Sequence, residues 1–132
     1  MAELPCNTIL YRSIRAARDF QDGRALSGAF MRRESESGLS VDFDVAVPDG
    51  CGRRLTKKYA IVSLHCGKVR DLGLSVLTDE GNPDVSEPEP NHAEIRGVPL
   101  AVDDDSTAKA ENIAAKLVEM ARTVWEKPRS MG

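Results

Sequence analysis

A histidine and a glutamate one residue apart, His92 and Glu94 in the stretch PNHAEIRGVP, match the pair with which zinc deaminases supply a metal ligand and a general acid/base. That chemistry needs the pair at the start of a helix and two thiolates from a later Pro-Cys-x-x-Cys. Gly97 and Pro99 would break a helix begun at His92 within two turns. All three cysteines, Cys6, Cys51 and Cys66, precede His92 and none are paired at ligand spacing. The stretch reads instead as a short strand. Ala93 and Ile95 point to a core, and His92, Glu94 and Arg96 form a polar row on the solvated face.

Other constellations fail on similar grounds. Cys51, His65, Cys66 and His92 have the right ligand types for tetrahedral zinc, but His65 and Cys66 are neighbours on an expected strand and point to opposite faces. The same opposition removes a cysteine–histidine nucleophile and base. Ser27-Gly28 lacks the flanking glycines of a nucleophile elbow, and the ten glycines form neither GxGxxG nor a P-loop. No catalytic set, metal site or cofactor cradle is expected. Arg12, Arg15, Arg18, Arg24, Arg32 and Arg33 make a basic front end. With few aromatics beside them, they read as a solvated face or as internal ion pairs rather than a nucleic-acid surface.

The elements that must position these residues follow from periodicity. Residues 8–18 start as a strand and continue towards a helical turn, and Asp22-Gly23 marks a tight turn. Leu39 to Val47 alternates, with Leu39, Val41, Phe43, Val45 and Val47 on one face and Ser40, Asp42 and Asp44 on the other. Lys58 to His65 is apolar on both faces, as in a central covered strand. A short helical turn ended by Gly73 and a strand over 74–77 come next. The RRESESG loop (32–38) and the acidic, proline-rich segment 79–91 are expected to be flexible loops without regular structure. Ile113, Leu117, Met120 and Val124 are spaced as one stripe of a helix over about 107–125, with Asp105 or Ser106 as N-cap and Pro128 beyond its end. Strands followed by a long helix predict a single α+β domain over 1–132, with a mixed or antiparallel sheet closed by the C-terminal helix.

Composition bounds the rest. The 132 residues are 41% hydrophobic and only 5% aromatic, so the core must be aliphatic. The net charge of −3 hides an asymmetry: residues 1–70 hold 12 Lys/Arg against 8 Asp/Glu, and residues 71–105 hold 1 against 10. The acidic middle is expected to lie against the basic front. The odd cysteine count, the absence of a secretory start and the lack of an apolar run near 20 residues point to a cytoplasmic, non-membrane protein.

Taken in order, the pieces LYRSIRAARDFQDGRALSGAF, GLSVD, YAIVSLHCGKVRDLGLSVLTDE and PNHAEIRGVP resemble a group of small bacterial proteins with no established activity. That resemblance implies a bacterial origin and one shared fold. It also singles out the polar residues of its matching pieces, Asp22, Arg24, Ser27, His92 and Glu94, as candidate ligand or partner contacts. The two loops interrupt the pattern and are long enough to carry recognition. The leading expectation is a non-enzymatic protein that binds an unknown protein partner. The first alternative is a small-ligand binder or enzyme in which those five residues converge. Nucleic-acid binding through the front arginines is the second.

Overall fold

Six apolar, alternating segments pair into one antiparallel sheet in a computed structural model of the chain, which describes residues 4–34, 36–51 and 58–128. In chain order the strands are β1 (Ile9–Ile14), β2 (Phe20–Gln21), β3 (Arg24–Ala25), β4 (Leu39–Phe43), β5 (Ala60–His65), β6 (Ser75–Thr78), β7 (His92–Arg96) and β8 (Arg122–Glu126). The main sheet runs β6-β7-β4-β1-β5-β8 and is open, while β2 and β3 form a separate two-stranded hairpin. The helices are α1 (Cys66–Asp71) and α2 (Asp104–Met120), and three short 3₁₀ turns lie at Ala17–Asp19, Ser27–Phe30 and Asp79–Gly81. The architecture is α+β, as the periodicity predicts.

Register explains which side chains are buried. Leu10 faces Leu64, Arg12 faces Val62 and Ile14 faces Ala60 across β1 and β5. Val41 faces Ala93 and Leu39 faces Ile95 across β4 and β7. These residues line one sheet face, and Phe30, Val69, Ala114 and Leu117 join them in one aliphatic core. The core is thus roofed by the Ser27–Phe30 turn, α1 and α2. Asp22 and Gly23 both take positive φ, which is what a two-residue turn joining Gln21 to Arg24 demands.

Three boundaries differ from the periodic reading. The alternation from Leu39 stops at Phe43, because Asp44 turns the chain at φ 54. The 79–91 segment opens with a 3₁₀ turn. Helix α2 begins and ends earlier than expected. Its cap is Asp103, whose Oδ1 accepts from the Ser106 backbone N–H at 2.8 Å, while the Ser106 hydroxyl accepts from the Asp103 N–H at 3.1 Å. Residues 121–125, placed on the helix by the stripe, leave it at Ala121, and the chain from Arg122 to Glu126 adds β8 to the edge of β5. The run Thr123-Val124-Trp125 is β-branched and aromatic, and the open edge of β5 offers it hydrogen bonds that a further helical turn could not better. Val124 is passed over in the β8 register and is 44% exposed, so it is no part of the helical stripe.

Candidate functional site

The sheet parts in its middle. Pairing between β1 and β4 is confined to Leu10–Phe43 and Tyr11–Asp42. Beyond Tyr11, β1 continues only with β5, and β4 before Asp42 continues only with β7. Strand edges left open inside a fold expose carbonyls that must find donors. Arg12 supplies them. Its Nε donates to the Ala29 carbonyl at 2.6 Å and its Nη1 donates to the Ser40 carbonyl at 2.8 Å. The guanidinium therefore stands in for ladder bonds that β1 and β4 do not make, and it ties the Ser27–Phe30 turn to the gap.

A cavity of ≈ 310 Å³ occupies this parting, within the range of small-molecule sites. Its wall draws on β1 (Arg12, Ser13), the chain just after it (Arg15), the 32–38 loop (Arg33), β4 (Ser40, Asp42) and β7 (His92). Burial is the main reason the Arg12 guanidinium is pushed down to about 10; the neighbouring cations Arg33 and Arg15 push the same way, and Glu36 and Asp19 oppose them. Arg12 still carries its charge at neutral pH, in a cluster of three arginines. Arg33 lies 3.8 Å from Glu36. Arg15 has no hydrogen-bond or ion-pair partner among the described residues, whereas Asp42 and Glu89 on the cavity wall make interactions of their own.

His92 enters the cavity from the opposite side. Its Nδ1 lies 2.6 Å from Asp79 Oδ1, and Asp79 is only 2% exposed. The second oxygen of Asp79 accepts from the Glu89 backbone N–H at 3.1 Å. A carboxylate only accepts hydrogen bonds, so the imidazole donates through Nδ1, and the lone pair of its neutral form lies on Nε2. His92 is part of the cavity wall and Asp79, its hydrogen-bond partner, is not.

The polar row of β7 is not a solvated face. Glu94 is 8% exposed. It accepts from Ser37 Oγ at 2.7 Å and from Asn82 Nδ2 at 2.9 Å. Arg96 reaches Asp84 at 3.0 Å. The segment 79–91 and the end of the 32–38 loop fold over this face, because their polar side chains find partners there that water would otherwise supply.

The structure separates the residues singled out by the family resemblance. Asp22, Arg24 and Ser27 line a shallow groove with Ala115 and Val118 of α2. His92 lines the cavity, and Glu94 is spent on the Ser37–Asn82 network. Spacing does not single out Arg12, Arg15, Asp79 or Ser13. A signal for Arg12 is nonetheless present in ILYRSI, where it occupies the position between Leu10 and Ile14 on the buried face. The front arginines, read as a solvated face or as internal ion pairs, contribute three members to the cavity wall, of which Arg15 and Arg33 are exposed and Arg33 pairs with Glu36. Among the described residues no group of three or more histidine, cysteine, aspartate or glutamate side chains is placed to hold a metal ion, and no helix is long and apolar enough to cross a membrane.

The fold and the cavity define an α+β protein with a polar site in a parted antiparallel sheet. No protein-family model, curated protein or solved structure matches the chain, so no relative bears on the resemblance carried by its short motifs.

Proposed function

We propose that the protein binds a small anionic molecule, one bearing a carboxylate or a phosphate, in the cavity between β1 and β4. The observation that carries this reading is the convergence of Arg12, Arg15 and Arg33 on one concave space, with Arg15 unpaired among the described residues. Like charges held together repel, and an anion between them relieves the repulsion while accepting their forked N–H groups. The buried Ser13 hydroxyl, which has no hydrogen-bond partner among the described residues, adds a donor at the same wall.

Citrate or inorganic phosphate at millimolar concentration is expected to raise the unfolding temperature, since a ligand at about 100 times its Kd stabilises the folded state by about 2.7 kcal/mol. The variants Arg15→Ala and Arg33→Ala are expected to abolish that rise without lowering the unfolding temperature of the free protein much. An equal rise in the variants, or none in the parent, would sink the proposal.

A protein partner is the second reading. It is favoured by β8, which ends the sheet and leaves four of its five residues exposed. An edge strand of this kind accepts an extended segment of another chain as a seventh strand. Capture of one stoichiometric partner by the parent, and its loss on placing proline at Val124, is the result that supports it. Equal capture by both would remove it.

A further inference from the structure

We propose that the Asp79–His92 pair makes the cavity a hydrolytic site, in which His92 acts as general base towards small esters that carry an anionic group. The inference rests on the anion-binding reading of the same cavity. Three observations carry it. The pair is short, at 2.6 Å, with the carboxylate at 2% exposure and anchored by the Glu89 N–H. His92, and not Asp79, lines the cavity. The register Tyr11–Asp42–His92 puts Ser13, two residues beyond Tyr11, on the same sheet face as His92, and Arg12, which the register places on the core-lining face, lines the same cavity through the gap between β1 and β4.

This is the arrangement in which an orienting acid fixes one imidazole nitrogen as donor and leaves the other as proton acceptor. His65, the other histidine, has no such orienting acid: it lies outside the cavity and its buried Nδ1 has no partner among the described residues.

The step balances with water as the only co-reactant. A water hydrogen-bonded to His92 Nε2 gives that nitrogen a proton as its oxygen bonds to the ester carbonyl carbon. The carbonyl π pair moves onto oxygen, beside the guanidinium groups of Arg12 and Arg15. Collapse of the tetrahedral species breaks the bond to the alcohol oxygen, which leaves with the proton from His92. Acid and alcohol are released and the imidazole returns to neutral. Asp79 touches no reacting atom; it is a positioning residue that holds the tautomer.

The test uses the full chain and two chromogenic probes, 4-nitrophenyl acetate and the carboxylate-bearing mono-4-nitrophenyl succinate. The parent is expected to hydrolyse the succinate ester faster than the acetate. His92→Gln is expected to lose roughly 10²–10⁴-fold in kcat, and His65→Gln to lose nothing. Asp79→Asn, which keeps shape, is expected to lower kcat by at least about tenfold with KM unchanged, a split that a role in folding alone would not give. If His92→Gln does not fold, carbethoxylation of the parent by diethyl pyrocarbonate replaces it. Modification at His92 but not His65, with activity lost in step, supports the proposal. An unmodified His92, or full activity after its modification, overturns it. Unchanged hydrolysis in folded His92→Gln also overturns it. If citrate or phosphate still stabilises the parent while hydrolysis is absent, the general-base inference falls and the binding reading stands. If neither is seen, both fall.

Discussion

Arg12 carries a charge into a position that its neighbours mark as core-facing, and what keeps it there is geometry. One planar fork reaches two carbonyls on different segments, Ala29 and Ser40. Arg12→Lys retains the charge but cannot span both acceptors. It is expected to cost about 0.5–1.5 kcal/mol, because one hydrogen bond to a carbonyl is lost; urea unfolding reads this directly. The cysteines give a second prediction at this scale. Cys51 is fully buried, and burial, with the nearby Asp42 charge, pushes its thiol up to about 11, against the opposing pull of Lys58. Thiolate is the reactive form, so at mildly alkaline pH iodoacetamide should label exposed Cys6 first. Buried Cys51 and Cys66 should react only in denaturant. Mass spectrometry of partly labelled protein checks the order, and early labelling of Cys51 would contradict it.

Among the elements, α2 owes its start to one residue. Asp103 is held below the ordinary carboxylate range by the Ser106 backbone N–H first and by the Ser106 hydroxyl second. Its folded value is therefore depressed. The stabilisation is fully present above the unfolded carboxyl value, and it is lost as pH falls through the depressed folded one. Asp103→Asn keeps a capping acceptor without the charge, so its unfolding temperature should change less with acidification than that of the parent. The 32–38 loop gives a sharper case. A Cβ on Gly38 would stand 2.6 Å from the Ile95 carbonyl of β7 and 3.0 Å from Glu94 Oε2. Backbone cannot yield as a flexible side chain does. Gly38→Ala should therefore destabilise by about 1–3 kcal/mol and loosen the Ser37–Glu94 bond, which hydrogen exchange at Glu94 and Ile95 would show.

Taken as a whole, the molecule is a sheet covered on both faces by different means. One side is roofed by α1, α2 and the Ser27–Phe30 turn over an aliphatic core, and on the other the 79–91 segment and Ser37 cover the polar side chains of β7. The sheet's far edge depends on β8, which returns from α2 to cover β5 beside Ile61. Ending the chain at Ala121 should expose the backbone edge of β5. The expected outcome is lower thermal stability and concentration-dependent association, visible as a shift in gel filtration, because open sheet edges recruit other strands. A truncated chain that stays monomeric and as stable as the parent would show that β8 contributes nothing to the edge.

Period-two and period-3.6 alternation sufficed to place β1, β4, β5, β7 and the body of α2, because each buries one face and its side chains record which face that is. The Asp22-Gly23 turn was legible for the same local reason: two residues with positive φ have few sequence solutions. Local pattern misread residues 121–125, where a helical spacing continued into a segment whose hydrogen-bond partner, β5, lies some sixty residues earlier in the chain. It misread His92 and Glu94 as solvated, since the residues that cover them, Asp79, Asn82 and Ser37, lie in loops with no period at all. The cavity was beyond its reach altogether. It exists because β1 and β4 separate after two paired residues, and the pairing of distant strands is settled by the balance of packing and hydrogen bonding over the entire fold, which no single stretch of chain encodes.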